Sequence, residues 1–210
     1  QFEGIVPKLS QEFVDLFSQG GVIGNVKTQS QLIGVPTKIK VLGYVCDNRG
    51  NVINTTKHKL INPNNDKKNK GRAKLILCVG TSMNSGKTHA AAACCYAISS
   101  MGKSSRAAKI TGTASLKDIL LMNDCGADHV VDFTYFGYPS TYMMEEAKLL
   151  EMFRNFDDKY GNNPKNYIVV EFADGIFQRE TAMLLKIPEI QERIDKLIFC
   201  APDSIAVYGG

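Results

Sequence analysis

A glycine, a lysine and a threonine in succession, placed where an apolar run gives way to an alanine-rich one, form a pattern that can hold a polyphosphate. The stretch from Leu75 to Cys95 reads LILCVGTSMNSGKTHAAAACC, with Gly86-Lys87-Thr88 between its apolar run and its alanine run. Backbone N–H groups of Asn84 through Thr88 can converge on phosphate oxygens, and the positive end of the following helix reinforces them. Gly86 leaves room for close approach, Lys87 would reach the outer phosphates, and the Thr88 hydroxyl would ligate Mg²⁺. The residues expected to contact nucleotide are Thr81, Asn84, Ser85, Gly86, Lys87, Thr88 and His89, with no catalytic role for His89, and the implied cofactors are ATP and Mg²⁺. The alternative is a lysine at a helix start with coincidental glycines. In the usual pattern a glycine stands five positions before the Gly-Lys-[Ser/Thr] end, whereas here Gly80 stands six before Gly86 and Thr81 holds the expected place.

A magnesium–nucleotide site also needs a carboxylate at the end of a neighbouring strand. Glu171 ends YIVVE and Asp132 ends HVVD; either is a metal candidate or a strand-end acid meeting solvent. Asp118, on the helix after the second strand, is a third acid that could approach the metal. Two polar segments follow strands. DFTYFGYPSTY (Asp132–Tyr142) keeps Asp132, Tyr138 and Ser140 near Pro139, where they could face a phosphate or an acceptor; a turn with Ser140 or Thr141 as a helix cap explains it equally well. ADGIFQRET (Ala173–Thr181) brings Asp174, Gln178, Arg179 and Glu180 together. Arg179 could grip a phosphate or a carboxylate with its planar fork, and Asp174 could orient a nucleophile or act as a base. The alternative makes them a helix start with an acidic cap at Asp174 and surface charges.

These residues must be positioned by alternating elements. From Ala73 onward, KLILCVG reads as a buried parallel strand, Lys87–Met101 as a helix stopped by Gly102, SSRAAKITG as a strand, and SLKDILLMNDCG as a helix stopped by Gly126. DHVVDFTYFG, NYIVVEFADG and KLIFCAP follow as strands. STYMMEEAKLLEMFRNFDDKYG sets Met143, Ala147, Leu150 and Phe153 or Arg154 at helical spacing, predicting an amphipathic surface helix. The alternation argues for a three-layer α/β domain with a mostly parallel sheet over residues 73–210. DSIAVYGG, at the C-terminal end, looks like the start of another helix, so the sheet either has further residues to complete it or closes with five core strands. Residues 1–61 read as a small β-rich region, with TKIKVLGYVCD and NVIN joined by the turn DNRGN as a hairpin. NPNNDKKNKGR, residues 62–72, has no apolar residue and reads as a linker or long exposed loop.

Composition bounds the rest. The hydrophobic fraction is 44% and the charged fraction 22%, with a formal charge of +4, values ordinary for a globular protein. Much of the charge sits in DKKNKGR, which as a solvated loop makes nucleic acid an unfavoured partner. No apolar segment approaches the ~18–20 residues of a membrane span, and QFEGIVPKLS does not read as a signal peptide. Six cysteines without a C-x-x-C pair fit buried reduced thiols, and so a cytoplasmic protein, better than disulfides or a metal site. Asn54-Thr55-Thr56 matches a glycosylation acceptor, a short motif that recurs by chance.

GTSMNSGKT resembles the variant phosphate loop of the dethiobiotin synthetase class of P-loop NTPases, whose first glycine also lies six before the second. AAKITGTASLKD resembles that class's second strand, and IVVEFADG its glutamate-bearing strand. The resemblance spans about Lys74 to Pro202. It implies that Lys87 and Thr88 hold phosphate and magnesium, that Lys109 touches the substrate or outer phosphate, and that Asp118 and Glu171 ligate magnesium. EFADGIFQRET departs from the class where substrate is recognised, and residues 1–61 have no counterpart in the synthetase. The chain is also similar to a bacterial P-loop family recognised by GTSMN[AS]GKT, AAK[VI]TGT, DFT..G.PSTY and DG.[FL]QRETA, all present here as Gly80–Thr88, Ala107–Thr113, Asp132–Tyr142 and Asp174–Ala182. The resemblance to the synthetase class implies an ATP-dependent ligase- or kinase-like enzyme acting on a small carboxylate- or amine-bearing molecule; Lys87 and Lys109, together with Asp174 and Arg179 as read from their own segment, make up the expected catalytic set. The alternatives are a nucleotide-switched regulatory or assembly NTPase and a coenzyme A-dependent N-acyltransferase acting on an amino acid. Relatives in the wider class dimerise around nucleotide, which implies a homo-oligomer.

Overall fold

The computed structural model describes residues 2–18, 20–61 and 71–210. Most of the expected linker, residues 62–70, lies outside the described residues.

The second half of the chain builds a five-stranded, all-parallel sheet from β5 (Lys74–Gly80), β6 (Ser105–Lys109), β7 (His129–Asp132), β8 (Tyr167–Glu171) and β9 (Lys196–Cys200), in the spatial order β7-β6-β8-β5-β9. Val169 and Val170 on β8 are fully buried, as are Leu75, Leu77 and Cys78 on β5. Strands covered on both faces read as continuous apolar runs, which is why these segments are legible without any alternation. The helices divide by face. α1 (Lys87–Ser100) and α2 (Leu116–Asp124) cover one side through Ala91, Ala92, Cys95, Ile98 and Met122. α3 (Glu146–Tyr160) and α4 (Arg179–Leu185) cover the other through Leu149, Met152, Phe153, Phe156 and Leu184. α5 (Pro188–Arg193) joins that layer through Ile190, and α6 (Ser204–Gly209), capped by Asp203, follows β9. Each fully buried Leu, Ile or Phe stabilises the fold by about 1.5–3 kcal/mol, so these two layers rather than helix propensity hold the elements in place.

The apolar stripe on α3 differs from expectation. Leu149, Met152, Phe153 and Phe156 face the core, whereas Ala147 is exposed and Met143 lies before the helix in a left-handed turn with φ 59°. Helical spacing alone admits either stripe, and the phenylalanines decide it because they bury the most area.

The first 61 residues form a small antiparallel sheet from β1 (Phe2–Ile5), β2 (Phe13–Leu16), β3 (Ile23–Gln29) and β4 (Lys38–Lys40), in the order β1-β3-β2-β4. The expected hairpin around DNRGN is present as a turn: the Asp47 carboxylate accepts from the N–H groups of Arg49 and Asn51, and a single bridge pairs Cys46 with Val52. The longer strand expected over Thr37–Asp47 shortens to Lys38–Lys40. This region docks on the loops that follow β7. Thr55 Oγ1 donates to the Gly137 carbonyl at 2.8 Å, Leu60 N–H to Tyr135 O at 2.8 Å, and Tyr142 Oη to Glu3 Oε1 at 3.1 Å.

Candidate functional site

The chain leaves β5 toward β6 on one side and, after β8, crosses over β5 to reach β9 on the other. The order of connection therefore reverses between β5 and β8, and in an open parallel sheet such a reversal leaves a crevice outside the C-terminal strand ends. The loops after β5, β6, β7 and β8 line it.

The β5–α1 loop is folded tightly against the strand that precedes it. A Cβ on Gly80 would meet Ser85 Oγ at 2.3 Å and the Cys200 carbonyl at 2.6 Å, so the displaced glycine is the residue that lets the loop return over its own strand. Gly86, the N-cap of α1, needs glycine for a different reason: its φ is 98° with open space around it, a conformation that costs an L-residue about 1–2 kcal/mol. Asn84 also has a left-handed backbone, φ 61°. Lys87 is 5% exposed, and its Nζ donates to Ser82 O at 2.6 Å. Burial pushes the Lys87 ammonium below its ordinary value, against the opposing pull of Glu171 and Asp174.

Four expected residues pair off on the α1–α2 face. Thr88 Oγ1 donates to Glu171 Oε1 at 3.0 Å, and Lys109 forms an ion pair with Asp118. Strand register sets Lys109 beside Glu171 on one flank and Asp132 on the other. Glu171 is 2% exposed, and its Oε2 is buried without a hydrogen-bond partner among the described residues. Burial raises its carboxyl above the ordinary range, although Lys109 and Thr88 pull it down. Burial would lower the Lys109 ammonium, but Glu171 and Asp118 raise it on balance. Thr81 Oγ1 is likewise buried and unpartnered among the described residues. Leaving a buried polar group unsatisfied costs about 1–3 kcal/mol, and these two oxygens lie at or just beyond the C-terminal ends of the neighbouring strands β8 and β5.

Asp132 is buried rather than a strand-end acid meeting solvent. It accepts from Thr134 N–H at 2.9 Å and caps the short 3₁₀ turn Phe133–Phe136, and burial raises its carboxyl. Asp174 does not cap a helix: α4 starts at Arg179 with Gln178 at its N-cap, while Asp174 sits in the loop with φ 62° and acts electrostatically on both Lys87 and Lys109. Ser140 and Thr141 do not cap α3, whose N-cap is Glu145; the Thr141 hydroxyl instead accepts from Gly112 N–H at 2.9 Å, tying the β7 loop to the β6 loop. Arg179 is turned away from the lysines, with Nη1 donating to Met144 O and to Glu180 Oε1, both at 2.9 Å. His89 lies on α1 next to Thr88 with no hydrogen bond to the loop among those described.

Two structural supports were not singled out by sequence. Glu180, grouped there with rim charges, is 3% exposed and accepts from Met143 N–H at 2.8 Å, holding that residue's strained turn. Thr111 accepts from Ala173 N–H at 2.8 Å, and Thr181 donates to Ala173 O at 2.7 Å, stitching the β6 loop, the β8 loop and α4 together. A threonine just beyond a strand end, as in ITGT, is the only sequence signal for this.

Among the described residues no group of three or more His, Cys, Asp and Glu side chains is arranged to hold a metal by itself. The donors fit a hard cation that keeps waters and takes its remaining ligands from a phosphate: one carboxylate with a free oxygen and one hydroxyl beside it. No family model matches the chain, and no curated protein matches it. Fold and site together define a three-layer α/β protein with a glycine-bounded, lysine-containing loop facing a buried carboxylate, and no helix among the described residues is long and apolar enough to cross a membrane.

Proposed function

We propose that the chain is a P-loop protein that binds ATP with Mg²⁺ and uses it in ligase- or kinase-like chemistry on a small carboxylate- or amine-bearing substrate. The observation that carries this reading is the contact between Thr88 Oγ1 and Glu171 Oε1, with the second carboxylate oxygen buried and without a partner among the described residues. A strand-end carboxylate bonded to the hydroxyl just after the loop lysine is the pair a magnesium–polyphosphate complex requires.

In this reading Asn84 to Thr88 present backbone N–H groups to the phosphates, and Lys87 exchanges its bond to Ser82 O for a phosphate oxygen. Thr88 and Glu171 would hold Mg²⁺, and Asp118, paired with Lys109, is the further acid that could contribute to it. Bound there, Mg²⁺ neutralises charge on the polyphosphate. Lys109, kept protonated by Glu171 and Asp118, stabilises negative charge that builds on the transferred group. Asp174, on the loop after β8, orients an acceptor or acts as its base. Arg179 acts at one remove, through Glu180 and the loop before α3. Isothermal calorimetry tests the reading: the wild-type chain binds ATP only with magnesium, and Lys87→Ala abolishes binding while the circular dichroism spectrum is unchanged. No heat at millimolar Mg-ATP from the folded wild type would overturn it.

One observation favours a second reading, a nucleotide-switched regulatory protein acting as a homo-oligomer. The N-terminal sheet is bonded to the crevice loops through Glu3–Tyr142 and Thr55–Gly137, so a loop movement on nucleotide binding would reach it directly. Size-exclusion with and without Mg-ATP separates the two: a nucleotide-dependent change of oligomer supports the switch.

A further inference from the structure

The loop after β8 is held at one residue by two hydroxyls from elsewhere in the fold. Beyond the backbone bond from Ile110 N–H to Glu171 O at 3.0 Å, Ala173 N–H turns to a side chain and donates to Thr111 Oγ1 at 2.8 Å. The Ala173 carbonyl accepts from Thr181 Oγ1 at 2.7 Å, and the two hydroxyl oxygens lie 3.2 Å apart. Thr111 stands just beyond β6 and Thr181 on α4, and both are buried together with Ala173. Every proton in this arrangement has an acceptor: Ala173 N–H goes to Thr111, the Thr181 proton to the Ala173 carbonyl, and the Thr111 proton to the Thr181 oxygen. A valine would fill the same space and satisfy neither end of the residue.

The same loop then reaches the start of the β5–α1 loop. Ile176 N–H donates to Gly80 O at 2.9 Å, and a Cβ on Gly175 would lie 2.4 Å from the Thr81 carbonyl. Gly175 is not among the left-handed glycines, so close approach is what calls for glycine there. Residues 173–176 therefore span the crevice as a short brace, anchored on β6 and α4 at one end and on Gly80 and Thr81 at the other, with the left-handed Asp174 between the anchors.

We propose that Thr111 and Thr181 are positioning residues for Mg-ATP: their hydroxyls fix Ala173, and through it the brace that sets the β5–α1 loop in its binding geometry. This rests on the reading of the chain as a Mg-ATP-binding protein. The two threonines touch no nucleotide themselves; they act through Ala173, Gly175 and Ile176 on the residues that begin the loop. Glu171, two residues before Ala173, is kept in place by the same anchor.

The test is calorimetric titration of Mg-ATP into the full chain and its variants, each first shown to fold by circular dichroism. Thr111→Val and Thr181→Val should each weaken Mg-ATP binding about tenfold, the scale on which residues supporting a ligand site act, and Thr181→Ser should restore wild-type affinity. Gly175→Ala, which pushes on the far end of the brace, should weaken binding as well, and adding it to Thr181→Val should cost little more than either change alone, because the two act on one element. Arg193→Ala, which destabilises the fold on the α3–α5 side, should leave the affinity unchanged. Wild-type affinity in Thr181→Val, an equal loss in Thr181→Ser, or an equal loss in Arg193→Ala overturns the proposal while the Mg-ATP reading stands. No heat from the folded wild type overturns that reading, and the proposal with it.

Discussion

Gly80→Ala tests the account of the displaced glycine. The new methyl would lie 2.3 Å from Ser85 Oγ, 2.6 Å from the Cys200 carbonyl and 3.1 Å from Lys87 Cγ. The serine can rotate away. The carbonyl cannot, because it accepts Thr81 N–H at 3.0 Å and lies in the β5–β9 ladder. Forcing a methyl into such a site costs about 2–3 kcal/mol, in the upper part of the range for overpacking, and the stiffer unfolded chain returns about 0.4–1 kcal/mol. The net loss of about 1–2.5 kcal/mol corresponds, for a chain of this length, to a fall in Tm of roughly 2–10 °C. Gly86→Ala differs in mechanism: nothing lies within 4 Å of its Cβ, and only the left-handed backbone, φ 98°, opposes it, so its net cost is about 0–1.6 kcal/mol. Thermal unfolding followed by circular dichroism measures both. A Tm for Gly80→Ala within about 1 °C of wild type, or a larger fall for Gly86→Ala, would refute the claim that Gly80 is needed for close approach and Gly86 for conformation.

Glu171→Gln should lose magnesium-dependent ATP binding yet raise Tm at neutral pH. A carboxyl raised above its unfolded value of 4.5 contributes stability below that pH and loses it as pH rises through the folded value, so the uncharged glutamine should outperform glutamate at pH 7 and the gain should vanish below about pH 4.5; a Tm lower than wild type at neutral pH contradicts this. Arg193→Ala removes a guanidinium that holds Asp157 at 2.9 Å and the Ala73 carbonyl at 2.8 Å; stranding a buried carboxylate costs about 3–5 kcal/mol, with the lower end expected because Arg72 also reaches Asp157 at 3.0 Å, and urea denaturation showing less than about 1 kcal/mol would count against the network. Glu180→Gln keeps an acceptor for Met143 N–H but loses the charge paired with Arg179; faster hydrogen exchange at Met143 and Met144 with Tm nearly unchanged is the expected signature, and unaltered exchange would show that the carboxylate does not hold that turn.

The parallel sheet was legible because its strands read as apolar runs and the first two are each followed by a helix with a glycine stop, Gly102 after α1 and Gly126 after α2. One contact of the candidate site was legible from residue type: Thr88 and Glu171, singled out because a polyphosphate with a hard cation would demand such residues, are brought into contact by the fold across more than eighty residues of chain. What escaped the sequence depends on partners that no local pattern encodes. Glu180 and Arg179 are neighbours with one charge each, yet one is buried under a loop from another crossover and the other reaches a carbonyl beyond it. For Asp174 the alternative of a helix cap, a position acids favour, does not hold, because the helix begins five residues later and the aspartate stands in a left-handed turn. The strands of the N-terminal sheet other than β4 were missed for a related reason: β1 and β2 are four residues each, too short for alternation to stand out.

The three non-glycine residues with left-handed backbones among those described, Asn84, Met143 and Asp174, fall one each on the loops after β5, β7 and β8. Each costs of order 1 kcal/mol and persists only where its surroundings over-determine it. For Met143 those surroundings are the Glu180 carboxylate on its own N–H and Arg179 on the next carbonyl; for Asp174 they are the Thr111–Ala173–Thr181 bonds on the residue before it. A sheet with short crossovers has no topological need for strain at these points, since the loops could relax outward into solvent. The strain instead accompanies three loops that follow the strand ends near Glu171 and Lys109, where a carboxylate oxygen and the Thr81 hydroxyl have no partner among the described residues. Backbone strain and unsatisfied polar groups are separate costs to the same fold, and their coincidence on one crevice is what a site organised around a charged ligand, rather than around stability, would be expected to carry.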